Sequence, residues 1–206
     1  MQNPWEEIAL SDYENHMKLE SVRQLQALNR MMQAQLAAYP AESVMILGIA
    51  GGNGLEYIRP EQKTVYAVDI NGAYLRTAAE RHPALAGRLR CLQLDLITEA
   101  EKLPQAELLL ADLLIEYIGY GAFQRAVRQA APAYVSCVIQ INADAGEWVS
   151  DSPYLHAFDG LDAVHHQIAE QPLNEVMREI GYTGVLRDAE PLPNGKSLLR
   201  LDFQRS

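Results

Sequence analysis

Val44-Met45-Ile46-Leu47-Gly48-Ile49-Ala50-Gly51-Gly52-Asn53-Gly54 is a short apolar run that ends abruptly in a glycine-rich bend. Glycine removes the Cβ where a chain must turn tightly and lets a ligand approach the backbone. Gly48, Gly52 and Gly54 provide this just after a first strand, with the small Ala50, whose methyl is tolerated at a turn if φ is negative. Strand, glycine bend and helix together build a nucleotide pocket at the carboxyl end of a sheet. The helix here is short, Leu55–Ile58, cut off by Pro60.

Downstream, the same alternation repeats. Thr64–Val68 is β-branched and aromatic and closes at Asp69; Asn71–Arg81 reads as helix, ended by His82-Pro83. Leu89–Leu94 is a third strand, closing at Asp95, and Leu108–Ala111 is a fourth. Tyr120–Ala131 is the next helix and Tyr134–Ile141 the fifth strand. Nearly continuous apolar strands separated by helices predict a parallel sheet covered on both faces. After a polar and aromatic stretch, Asn142–Gly160, helices are expected over Leu161–Glu170 and Leu173–Ile180, separated by Pro172. Thr183–Arg187 and Lys196–Gln204 are strands joined by too short a link for a crossover helix, so they pair antiparallel at one edge. The fold expected is α/β: a three-layer, Rossmann-like, seven-stranded, mostly parallel sheet with an antiparallel last strand.

Upstream lies one helix. Leu19, Val22, Leu25, Leu28, Met32 and Leu36 form an amphipathic stripe, Ser11 and Glu14 fit a capping box that starts it near Asp12, and Pro40 stops it. Residues 1–40 are thus an N-terminal helical segment and residues 41–206 the main unit, one domain overall.

Composition bounds the function. The 206 residues are 49% hydrophobic, enough for a packed core, and the net charge is −10. An acidic surface with no basic cluster disfavours nucleic acid. No run is long and apolar enough to span a membrane, and no cationic apolar leader is visible, so a cytoplasmic location is expected. Cys91 and Cys137 sit in apolar strand-like stretches without metal-ligand spacing and read as buried thiols in a reducing compartment. Adjacent His165 and His166 point about 100° apart on a helix, so no metal is expected. Oligomeric state is left open, a homo-oligomer included.

Asp69 and Asp95 close successive strands. A carboxylate at the first position can accept from both ribose hydroxyls; each can also be an ordinary turn or capping Asp. Tyr57 stands where a dinucleotide fingerprint needs its third glycine, which counts against a nicotinamide-dependent oxidoreductase, and no Lys-Ser or Lys-Thr follows for a triphosphate loop.

These segments resemble the class I S-adenosylmethionine-dependent methyltransferases. Val44–Gly54 looks like that family's first motif, Val65–Asp69 its second, Leu92–Leu96 the next and Glu107–Ile118 its fourth-strand motif. The closing hairpin around Pro193-Asn194-Gly195-Lys196 is also similar. Ile46 stands at the usually acidic position and Ala50 at a common glycine. The resemblance implies S-adenosyl-L-methionine as cofactor. Gly48, Ala50, Gly52 and Gly54 would lie along it, Asp69 on the ribose, Ile70 against the adenine, and Asp95 with Leu96 at the adenine amino group. Ala111 and Asp112 would sit by its amino-acid end, with Glu116 and Tyr117 facing a small-molecule acceptor. Glu116 reads either as a base for that acceptor or as a solvated first-turn carboxylate.

Tyr13, His16 and Met17 precede the regular stripe and are read as a lid; His16 can equally be an exposed helix histidine. Trp148 and Tyr154, in the aromatic loop after the fifth strand, are candidates for the acceptor pocket, or simply pack that loop. Two other readings stand beside methyl transfer. One is a non-catalytic binding module of the same fold; the other is an aminopropyl transferase, whose Asp-rich signature Asp112 and Glu116 do not complete.

Overall fold

The computed structural model describes residues 3–142 and 148–206. The strands are β1 (Ser43–Leu47), β2 (Thr64–Asp69), β3 (Leu89–Gln93), β4 (Leu108–Asp112), β5 (Tyr134–Ile141), β6 (Tyr182–Pro191) and β7 (Ser197–Arg205). They form one sheet in the order β3-β2-β1-β4-β5-β7-β6. β1 pairs parallel with both β2 and β4, and β7 runs antiparallel between β5 and β6. The order reverses between β1 and β4, where such sheets open a crevice at their carboxyl ends.

The helices are α1 (Leu10–Met17), α2 (Gln24–Ala38), α3 (Gly72–Arg81), α4 (Ile115–Ala130) and α5 (Glu170–Glu179). The strands are apolar on both sides because both faces are covered. Met45 and Leu47 of β1 pack with Phe123 and Val127 of α4, whereas Val44 and Ile46 pack with Leu36 of α2 and Leu75 of α3. Ile46, at the usually acidic position, is therefore a core residue. Burying a side chain of this size is worth about 1.5–3 kcal/mol.

Three local expectations are corrected. The N-terminal helix is two helices: residues 18–23 leave helical geometry, and Arg23, at φ 53, stands as the N-cap of α2. The capping box is absent: Ala9 caps α1, and Glu14 reaches across to Arg81 instead. Pro172 does not separate two helices but sits in the first turn of α5, where its missing N–H has no helical acceptor to lose. Ahead of it, Leu155–Ala163 forms a 3-10 helix.

Within α4, Gly119 leaves helical geometry at φ 71, ψ 168. The break divides one turn carrying Glu116, Tyr117 and Ile118 from the long run beginning at Tyr120. That first turn lies at the mouth of the sheet.

Candidate functional site

Two clefts open over the carboxyl edge of the sheet. The first, about 670 Å³ with its mouth, is lined by Gly48, Ala50, Asp69, Ile70, Asp95, Leu96 and Asp112, together with Trp5, Tyr13, Tyr74 and Tyr117. Gly52, Gly54 and Ala111 lie outside the lining. Gly52 backs onto Ala78 and His82, Gly54 onto Met32, and Ala111 is fully buried in β4. All four glycine-bend residues Gly48, Ala50, Gly52 and Gly54 have positive φ, from 47 to 93. A left-handed alanine costs roughly 1–2 kcal/mol, so the negative φ that would make Ala50 a harmless replacement for glycine is not met. The bend is held in that shape by Asp69, whose Oδ2 accepts the Ala50 N–H at 2.9 Å.

The carboxylates differ in surroundings. Asp69 Oδ1 accepts the Asn71 N–H at 2.9 Å; burial raises its pKa and these backbone donors pull it back. Asp95 accepts from the Ile97 N–H at 2.9 Å and the Thr98 hydroxyl at 3.0 Å, so it caps its own turn while also lining the cleft. Asp112 accepts from Gln35 Nε2 at 2.8 Å through Oδ1, and its buried Oδ2 has no partner among the described residues. Burial pushes its pKa up to about 7.

The N-terminal segment roofs this cleft. Asn71 Nδ2 donates to the Trp5 carbonyl at 3.0 Å, the Tyr74 hydroxyl to the Ile8 carbonyl at 2.8 Å, and Arg81 pairs with Glu14. These bonds fasten residues 5–14 to α3 and the glycine bend. His16 and Met17 are buried, which corrects the exposed reading of His16; its Nδ1 lies 2.8 Å from Ser152 Oγ.

The second cleft, about 570 Å³, shares Trp5, Tyr13, Leu113 and Tyr117 with the first and adds His16, Met17, Glu116, Gln140, Trp148 and His165 among others. Glu116 is 5% exposed, correcting the solvated reading. Its Oε1 accepts the Gln140 N–H at 2.9 Å, and Oε2 is buried without a partner among the described residues. Burial raises its pKa to about 7, with Asp112 adding to the shift. Ionising Asp112 and Glu116 thus costs the folded chain stability as pH rises from about 4 to 7. The Tyr117 phenol is pushed well above its usual value by burial and by Glu116, so it stays protonated and can donate but not act as a base.

Trp148 stacks on His165 at 4.0 Å, and Tyr117 meets Trp5 edge-on at 4.8 Å. Tyr154 lies outside the cleft lining and packs with the cluster around Phe158. The aromatic loop also includes residues 143–147, which lie outside the described residues. Sequence reasoning missed Gln140 and the site role of Trp5 and His165. Gln140 near the end of β5 was open to the rule that strand ends line such sites; Trp5 and His165 reach the cleft only through tertiary packing. Among the described residues, no group of three His, Cys, Asp or Glu side chains is placed to hold a metal. No helix there is long and apolar enough to cross a membrane.

No protein-family model matches the chain, and no curated protein matches it. Solved structures do match, and they place its architecture as the class I S-adenosylmethionine-dependent methyltransferase fold. The N-methyltransferase NodS from Bradyrhizobium japonicum WM9, in complex with S-adenosyl-L-homocysteine, is 13% identical with a TM-score of 0.68, over 99% of this chain and 99% of that one. Geranyl diphosphate methyltransferase in complex with S-adenosylmethionine is 10% identical, TM-score 0.68, over 92% and 86%. The [4+2]-cyclase SpnF is 11% identical, TM-score 0.66, over 89% and 82%. A cyclase beside methyltransferases means that the activity has to be argued from the site.

Proposed function

We propose that this chain is an S-adenosylmethionine-dependent methyltransferase acting on a small molecule in a cytoplasmic setting. The observation that carries the reading is the convergence of Asp69, Asp95 and Asp112, each at or just beyond a strand end, on one cleft at the switch point. Asp69 would take the ribose hydroxyls, and Asp95 the adenine amino group between Ile70 and Leu96. Asp112 Oδ2, buried and unpartnered among the described residues, fits an α-ammonium that supplies both charge and donors. Gly48 and Ala50 offer backbone along the cleft, while Gly52, Gly54 and Ala111 shape it from behind. Of the two thiols, Cys137 is buried and Cys91 is exposed, which corrects the buried reading of Cys91.

When bound, the cofactor supplies a methyl group already activated on a sulfonium. The protein's tasks are alignment, exclusion of water and disposal of a proton. Glu116, with a pKa near 7, is suited to the last of these, and Tyr117 to orienting the acceptor. Trp148 would wall the acceptor cleft, with Tyr154 supporting the loop behind it. Residues 1–40 would form the lid segment of a single domain, with Tyr13, His16 and Met17 on its inner side.

Calorimetry with the wild-type chain tests this reading. S-adenosylmethionine and S-adenosylhomocysteine are expected to bind and NAD is not; binding of NAD alone overturns it. Affinity for S-adenosylhomocysteine should fall about tenfold from pH 7.5 to 5.5, because Asp112 gains a proton through about pH 7 and loses its charge-assisted bond. Deleting residues 1–17 should weaken binding by roughly tenfold or more, since burial under Trp5 and Tyr13 is lost. An unchanged affinity in that deletion, with the fold intact by circular dichroism, removes the lid role.

A further inference from the structure

The second cleft has a chemical character of its own. Among its described lining residues Glu116 is the only carboxylate, and the nearby cation, Lys196, stands behind the lining with its Nζ donating to the Trp148 carbonyl at 2.6 Å. Trp5, Tyr117, Trp148 and Phe158 provide aromatic walls, and burial, with the nearby Lys196 cation adding to it, lowers the pKa of both lining histidines, His16 and His165. Glu116 has one oxygen satisfied by the Gln140 N–H and the other buried with no partner among the described residues.

We propose that this cleft takes a small primary or secondary amine with an apolar body, presenting its nitrogen to Glu116. The inference rests on the methyltransferase reading of the adjoining cleft. A buried carboxylate without a full set of donors is costly, and a ligand that brings both a positive charge and N–H groups removes that cost. A neutral alcohol brings a donor and no charge, and an anion is repelled. Aromatic walls favour a cation further. The chemistry then closes: the ammonium gives one proton to Glu116, and its freed lone pair forms the bond to the methyl carbon. The C–S electron pair stays on sulfur, leaving a methylammonium and a thioether, and Glu116 returns its proton to solvent.

Both tryptophans of the chain line the cleft, so intrinsic fluorescence reports its occupancy without turnover. The probes are 2-phenylethylamine, 2-phenylethanol and phenylacetate, titrated into cofactor-free wild type and Glu116→Gln, an isostere that keeps an acceptor for Gln140. The amine should bind wild type about tenfold tighter than the alcohol, with phenylacetate weaker still. In Glu116→Gln the amine and alcohol should fall within about threefold of each other. An alcohol or phenylacetate matching the amine, binding by none of the three, or an amine preference that survives in Glu116→Gln overturns the inference. A wild-type chain that selects the amine but binds no S-adenosylhomocysteine upholds the amine site and refutes the cofactor reading instead.

Discussion

Replacing Asp69 with alanine is expected to weaken S-adenosylhomocysteine binding by about 1.5–3 kcal/mol, roughly ten- to hundredfold. The size of the effect comes from preorganisation. Asp69 ends β2 beside the bend after β1, and two backbone N–H groups, from Ala50 and Asn71, hold its two oxygens at 2.9 Å each. The carboxylate is therefore oriented before any ligand arrives, and little entropy is lost in aligning it. The same bonds restrain Ala50 at φ 47, so the alanine variant also releases the bend that shapes the cleft wall. Asp69→Asn separates the two contributions: it keeps the side chain's volume and one acceptor but loses the charge, and should fall between wild type and Asp69→Ala. Calorimetry of the three proteins decides the matter. Equal affinities would remove Asp69 from the ligand's contacts and leave it a structural clamp on Ala50.

What was legible in the sequence was what is locally determined. An apolar run followed by Gly48 to Gly54 announces strand and bend, because few other residues take that backbone, and Asp69 and Asp95 are visible because they stand where strands stop. Hidden features depend on distant contacts. The stripe from Leu19 to Leu36 runs unbroken through the non-helical link between α1 and α2, since Val22 is fully buried against tertiary neighbours and looks the same as a helical core position. Pro172 reads as a stop from its own chemistry, yet in the first turn it has nothing to break. Glu116 on paper is a polar residue at a helix start. Its burial arises from β5 through Gln140 and from the aromatic layer of Trp5 and Trp148, far away along the chain. Ala50 escaped because its positive φ is imposed by Asp69, nineteen residues on.

A second large effect should come from behind the site. Asp202→Asn is expected to cost about 3–5 kcal/mol of folding stability, read from urea denaturation at pH 7.5. Asp202 is fully buried in β7 and accepts from Arg200 Nε at 2.9 Å and Nη2 at 2.5 Å, from the Tyr39 hydroxyl at 2.8 Å and from Ser136 Oγ. Arg200 is itself 4% exposed, so removing the carboxylate charge strands a guanidinium in the core. If the penalty is the stranded charge, Arg200→Met with Asp202→Leu should recover most of the loss, because a packed apolar pair needs no compensation. If it is instead the lost hydrogen bonds of Ser136 and Tyr39, the double variant will be no better than the single one. The cluster also reaches the cleft. Val138 of β5 pairs with Arg200 on one side and Asp112 on the other, and Arg200 lowers the Asp112 pKa while Asp202 raises it. Neutralising Asp202 leaves the attraction unopposed, so the acid-side loss of S-adenosylhomocysteine affinity should move to lower pH in Asp202→Asn. A profile unmoved from wild type would mean that Arg200 and Asp202 serve the sheet alone.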